Sequence, residues 1–462
     1  FTQPGEFAEQ AKTKFLQAVQ TGSTPDGPEF TYPKLDLTTL LTWRDDMTVL
    51  LGAASASDLD NEVNRLIREK ITNSLAEVDI MLLTRLQSDT DPETPSYPLI
   101  SFQLGENMKE VYGKPSSDEF RRVLDARLTA LKPVLDMTDI PDEITEAADH
   151  VRAIFPWYQT ASGAVYQPQS ETMQWYAREL QRRCNDATQA VRQAIEDGSV
   201  QVGDDDELDS AALIKTAQIA LNARGYTDWQ AKPTTNTNVD TSQADQTIYI
   251  PEKRRMNFEE FDKLINGHEI DQHVGRRVNG DATGVAILGG LGCSDYLQWE
   301  EGAGKANETL LSGKVLLEGS AFGFFLSGGL IMGLDREGTG RNFGDTFDIV
   351  WRLNLLEQFS NGKVGDDVQT VISELQTKAY DHLRRLFRGT DGKVTGVFYP
   401  KDAVNYYLGQ VEVWRKWDKD MQGLDEEARR VEYKLESSAK INPQRADHHR
   451  VAEAAIIGIE TD

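Results

Sequence analysis

Along the first half of the chain, apolar residues recur at a spacing close to the helical period. Between Leu51 and Leu86 lie Val63, Leu66, Ile67 and Ile71, then Leu75, Val78, Ile80 and Leu83, which line one face of a helix. A second long helix is predicted over Glu171–Glu196, where Trp175, Tyr176, Leu180, Ala187 and Val191 punctuate charged positions. Pro92, Pro95 and Pro98 mark a loop between the two. Residues 1–225 therefore read as a helical N-terminal lobe. No repeat at solenoid-like periods interrupts it.

From Tyr226 to Pro251 the texture changes. Trp229-Gln230-Ala231-Lys232, Asn238-Val239-Asp240 and Thr247-Ile248-Tyr249-Ile250 read as short strands between polar turns, and a small antiparallel sheet is expected from them. A sheet edge can bind an extended peptide by adding a strand, and Thr247–Ile250 is the candidate edge. Helical pattern resumes at Asn257 and returns after about residue 305, with a turn expected at Asp391-Gly392. Residues 226–420 thus form one region of short strands and helices. Residues 421–462 read as a charged C-terminal helix and tail. The fold class is α+β, predominantly helical.

Composition narrows the function. At 462 residues and 39% hydrophobic, the chain can bury a sizeable core. It contains no apolar run long enough to span a membrane. A net charge of −26 excludes a general nucleic-acid binder, which needs basic surface to displace phosphate counterions. Two distant cysteines, Cys184 and Cys293, make neither a disulfide framework nor a thiolate zinc cluster, and a reducing, cytoplasmic setting is expected. The chain begins at Phe1 rather than Met, which leaves a trimmed leader open. The acidic run Gly203-Asp204-Asp205-Asp206-Glu207 lacks the alternating ligand spacing of a calcium loop and reads as a solvated turn.

The chemistry concentrates at Gly267-His268-Glu269-Ile270-Asp271-Gln272-His273, an H-E-x-x-x-H pattern in a chain with only 6 histidines. Imidazole nitrogens suit Zn²⁺, and a catalytic zinc keeps three protein ligands and an open water position. A carboxylate beside the first histidine can take the water's proton and later deliver it, the role expected of Glu269. Zinc-peptidase helices usually separate their histidines by four residues. A separation of five turns the second histidine about 140° from the first on a regular α-helix. A π-bulge restores a common face, so a locally widened helix is expected between His268 and His273. Taken alone, the pattern also describes two solvent-facing histidines that bind nothing. Downstream, Trp299-Glu300-Glu301-Gly302-Ala303-Gly304 offers a carboxylate, with small residues that would let a helix pack close to the metal.

Several blocks together resemble a known family. They are Leu264–Gly280 with its H-E-I-x-x-H, the Gly290-Leu291-Gly292 run leading to Tyr296, and Glu300-Glu301-Gly302 with Glu308 seven residues on. Val111–Pro115, Arg385–Gly389 and Phe398–Asp402 add to them. The family is the group named for a QEGLA motif, which includes the microtubule-associated tyrosine carboxypeptidases, and the resemblance spans about residues 100 to 410. It implies a zincin-like metallopeptidase core with one Zn²⁺ per chain, held by His268, His273 and Glu301, and Glu269 as catalytic glutamate. Relatives can carry Gln where Glu300 stands, which favours Glu301 as the ligand. Where the family reads Leu-Ala after Glu-Gly, this chain has Ala303-Gly304. Dipeptidyl peptidase III is similar at the motif level only, and an endopeptidase or an inactive zinc-binding interaction module are further alternatives.

The resemblance implies a carboxypeptidase acting on a peptide or protein C-terminus, with tyrosine as a candidate residue. Such an enzyme must hold a free α-carboxylate, which Arg does best through bidentate geometry. Arg388 is the candidate, chosen over Arg276, Arg277, Arg384 and Arg385. Tyr406 and Tyr407 are candidate substrate contacts that could donate to a developing oxyanion, with a place in the core as the alternative for either.

Overall fold

The long helix Ser170–Glu196 forms where the periodicity places it, and buries Trp175, Tyr176, Leu180, Cys184, Ala187 and Val191 along one face. The stretch from Leu51 to Leu86 is covered by two helices, Leu37–Ala56 and Glu62–Asp89. This computed structural model describes residues 5–57, 61–203, 205–313, 320–365 and 367–456. The protein is predominantly helical with a few short strands, the α+β class expected. Among the described residues, no helix is long and apolar enough to cross a membrane.

Two units divide the chain. One comprises Phe1–Leu50, Asn73–Tyr166 and Leu317–Tyr407; the other comprises Leu51–Thr72, Gln167–Leu316 and Leu408–Asp462. Among the described residues the first unit is helical apart from its loops, and Phe15 anchors it edge-on against Phe343 and Phe347 at ring separations of 5.2 and 5.1 Å. The strands among the described residues lie in the second unit, with the H-E-x-x-x-H segment.

In that second unit β1 (Glu207–Leu208) pairs antiparallel with β5 (Met256–Asn257). The three-stranded sheet has the order β2 (Gln230–Thr234), β4 (Thr247–Pro251), β3 (Asp240–Ser242). β3 runs antiparallel to β4, with Thr241 opposite Ile248, but β2 runs parallel to it, with Ala231 opposite Ile248. The sheet is therefore mixed rather than antiparallel. Thr247–Ile250 is its centre and not an edge, so it has no free side for an added peptide. The reason lies in its side chains: Thr247, Ile248, Ile250 and Pro251 are all buried, and a strand covered on both faces belongs inside a sheet. Ile248 and Ile250 pack with Trp229, Leu213, Leu221, Phe261 and Ile265 in one core.

Asn257 caps the following turn by accepting from the Glu260 amide. The helix Phe258–Phe261 then widens into a π-helix over Asp262–Val274. Nine of the thirteen positions of this π-helix are buried, and such a helix needs its polar side chains answered from neighbouring elements. Asp271 is answered by two arginines. Arg183 Nη2 from the long helix donates to Oδ2 at 2.8 Å, and Arg224 Nη2, just after the helix Ser210–Ala223, donates to Oδ1 at 3.0 Å. Asn307 adds a bond to Oδ2 at 3.2 Å. Burial alone would raise the Asp271 pKa, but Arg183 and Arg224 more than offset it and hold the carboxyl below its usual value.

Asp271→Ala should therefore destabilise the protein by about 3–5 kcal/mol in urea unfolding, because it leaves two guanidinium groups facing each other without their carboxylate. The depressed folded pKa sets the sign with pH. This stabilisation is present above the unfolded value of about 3.9 and is lost as pH falls through the folded one. A cost below about 1 kcal/mol, typical of an exposed pair, would contradict this role.

Candidate metal centre

The π-helix solves the spacing problem over its whole length rather than at one bulge. His268 and His273 lie five positions apart, and their ring centroids are 5.1 Å apart. The His268 Nε2 and His273 Nε2 atoms both face Glu301 Oε2, at 3.4 and 3.8 Å. One ligand atom from each residue lies within 4.8 Å of the others. His268 is buried and His273 nearly so, which is not the arrangement of two solvent-facing histidines.

Glu301 comes from the helix Tyr296–Ser312, which packs against the π-helix through small residues. A Cβ on Gly304 would lie 2.7 Å from His268 Cε1 and Nε2, so the imidazole rests against this backbone. A Cβ on Gly302 would lie 2.1 Å from the Gly409 carbonyl carbon on the opposite side. The small residues after the glutamate pair thus do the packing that the sequence suggested. Consecutive residues on an α-helix diverge by about 100°, so the two glutamates face different partners. Glu301 turns to the Nε2 atoms. Glu300 turns beneath His273, where Oε1 accepts from Nδ1 at 2.6 Å. Glu308, two helical turns beyond Glu301, accepts from His268 Nδ1 at 2.7 Å. Each Nδ1 therefore donates to a carboxylate, so the proton given up to a metal would be the one on Nε2, which leaves the tautomer a metal requires.

Glu269 stands next to His268 on the π-helix and is buried. Its Oε2 accepts from Thr241 Oγ1 of edge strand β3 at 2.7 Å, which sets the carboxylate's orientation.

The electrostatics favour a cation among the ligand atoms. Burial lowers the His268 pKa, but hydrogen bonds to Glu301 and Glu308 outweigh it and push the ring up to about 10. Burial likewise lowers His273, while Glu300 and Glu301 raise it on balance. Glu300 is raised by burial yet held at about 2 by Lys440, His273 and Arg276. Burial also raises Glu308, and His268 and Lys305 bring it to about 2. The surrounding carboxylates thus draw a positive charge, whether proton or metal ion.

Among the described residues two other clusters have ligand-type side chains, and both already hold a cation of the chain. Arg445 binds Glu69 and Asp447 beside His448, at 2.8 Å to each carboxylate. Lys416 binds Asp420, Glu432 and Glu436, at 2.7, 2.9 and 2.5 Å. The His268 cluster differs in offering two imidazoles.

The three substrate-binding candidates belong to the other unit. Arg388 is partly exposed, donates through Nη2 to Asp402 at 3.0 Å and stacks on Tyr399. Tyr406 is half-buried and hydrogen-bonds Arg385. Tyr407 is a core residue, stacked on Phe325 with its hydroxyl donating to Glu119 at 3.3 Å. Thr241, Asp271 and Lys440 were not singled out from the sequence. An isolated threonine on a short strand, or a lysine 140 positions from its glutamate partner, carries no pattern that would have found it.

Against known proteins, no family model matches the chain and no curated protein matches it. The functional reading rests on these residues and their geometry.

Because Glu301 and Glu308 favour a proton on the His268 ring, a metal ion bound there must displace it. Zinc uptake near pH 8 should release at least one proton per ion, and apparent affinity should rise about tenfold per pH unit between 7 and 9. Isothermal titration in buffers of different ionisation enthalpy measures both. Uptake without proton release would contradict the assignment of His268 as a ligand.

Proposed function

We propose that this chain is a zinc-dependent peptidase related to the QEGLA-motif group, with a zincin-like catalytic core. The observation that carries the reading is the convergence of His268 Nε2, His273 Nε2 and Glu301 Oε2 beside the anchored carboxylate of Glu269. Two imidazoles and one carboxylate, each imidazole backed by a carboxylate on Nδ1, are the donor set of a catalytic zinc site with a position left for water. A zinc ion held there supplies Lewis-acid activation of a peptide carbonyl and a bound water of lowered pKa.

The residues of the chain account for the remaining work. Glu308 and Glu300 keep the two rings in the Nδ1-protonated form. Thr241 donates to Glu269 Oε2 and so orients a carboxylate whose role would be to receive the proton of the attacking water and pass it to the departing amine. Among peptidases we favour a carboxypeptidase acting on a peptide or protein C-terminus, on the motifs shared with the QEGLA group. Arg388 is our candidate for the terminal carboxylate, since its guanidinium is partly exposed.

His268→Ala and His273→Ala should each abolish stoichiometric zinc in elemental analysis, and Glu301→Gln should weaken it strongly. Retention of zinc by all three variants would remove the site. Glu269→Gln should keep zinc and lose at least about a hundredfold in peptide hydrolysis, the smaller end of a general base's contribution. Comparable turnover would remove Glu269 from that role. For the mode of cleavage, peptides with free C-terminal acids should be cut and their amides should not, with Arg388→Ala reproducing the defect on the acids. Equal cleavage of acids and amides within the chain would favour an endopeptidase, and dipeptides released from the amino end a dipeptidyl peptidase.

A further inference from the structure

Glu300 is a buried carboxylate next to the proposed ligand Glu301, with the same chemistry and one position away. Three donors commit it to another task. His273 Nδ1 and Lys440 Nζ donate to Oε1 at 2.6 and 2.7 Å. Lys440 Nζ also donates to Oε2 at 2.9 Å, and Arg276 Nη1 donates there at 3.5 Å. The side chains of Glu300, Lys440 and Arg276 are 1%, 2% and 0% exposed, so bulk solvent does not screen the cluster.

Lys440 is itself held on all sides. It lies in the segment between the helices Glu426–Ser438 and Ala446–Ile456. Its amide donates to Leu288 O at 2.8 Å, and its carbonyl accepts from the Cys293 amide at 3.0 Å. Arg276, just past the π-helix, brackets it by donating through Nε to Ala439 O at 2.7 Å and through Nη2 to Ile441 O at 2.6 Å. The ammonium also sits 5.0 Å from the centre of the Tyr296 ring. The His268 side is built differently: Glu308 there has one lysine partner, Lys305, which is partly exposed.

We propose that Lys440 is a positioning residue of the metal site, acting through Glu300 on the ligand His273. It fixes both oxygens of Glu300, and Glu300 in turn fixes the His273 ring with Nε2 toward Glu301. It also keeps Glu300 from competing with Glu301 as a ligand. This inference rests on the metal reading above. Outer partners of metal-bound histidines set affinity by orienting the ring, typically by about ten- to a hundredfold. Lys440 would do so without touching the metal.

The test measures zinc affinity by chelator competition, and the visible spectrum of the cobalt(II)-substituted protein, for wild type, Lys440→Met, Glu300→Gln and the double variant. Lys440→Met should weaken zinc about ten- to a hundredfold and shift the cobalt bands. The double variant should bind no more weakly than Glu300→Gln, because Lys440 acts only through Glu300. Lys440→Arg, which keeps the cation, should fall between wild type and Lys440→Met. If Lys440→Met does not fold, the double variant, which removes both members of the charge pair, supplies the comparison with Glu300→Gln. Affinity and cobalt spectrum unchanged in Lys440→Met would overturn the inference, as would losses that add in the double variant. Wild-type protein that binds no zinc would overturn the metal reading and this inference together, a different result from either.

Discussion

Two histidines five residues apart can share a face only where the helix is wider than an α-helix, and the rest of the site is arranged around that constraint. A π-helix has fewer good neighbours along its own axis, so its stability has to come from outside. Here it comes from burial of most of its positions and from polar partners on neighbouring elements. Asp271 ties it to two arginines, and Asn307 donates to the Gly267 carbonyl at 2.9 Å from the glutamate helix. Gly304 allows that helix close enough for Glu301 to reach both Nε2 atoms. Loosening any of these contacts would move a ligand.

The same helix solves an electrostatic problem. Glu269, Glu300, Glu301 and Glu308 crowd two imidazoles in a largely buried space. Left alone, such a cluster would repel itself or take up protons. Lys440 and Arg276 neutralise Glu300, and Lys305 pairs with Glu308. Glu301 faces the two imidazole Nε2 atoms, and Thr241 holds Glu269. A divalent cation fits the charge that remains, and the raised His268 pKa expresses the same demand in protons.

Much of the site was legible in the chain, because its chemistry is carried by residues close together in sequence. The five-residue spacing announced a widened helix, and the small residues after Glu300-Glu301 announced a close helix contact. The choice of Glu301 over Glu300 agrees with the direction each side chain takes. What was not legible came from long-range packing. Nothing in Thr247–Ile250 says that β2 joins it in parallel while β3 joins it antiparallel, since both arrangements suit a short apolar strand. Thr241 and Lys440 reach the site across 28 and 140 residues, and no local periodicity encodes such distances. Tyr407, by contrast, sits in an aromatic cluster, where a tyrosine with a hydrogen-bonded hydroxyl needs no substrate to explain it.

The central claim is that His268, His273 and Glu301 together hold one zinc ion, with Glu300 outside the coordination shell. X-ray absorption at the zinc edge on purified, zinc-loaded protein tests it most directly. The account predicts one zinc per chain with only nitrogen and oxygen neighbours near about 2.0 Å, including two imidazoles by their outer-ring scattering. Protein that retains no zinc, or a spectrum with sulfur neighbours or a single imidazole, would contradict it.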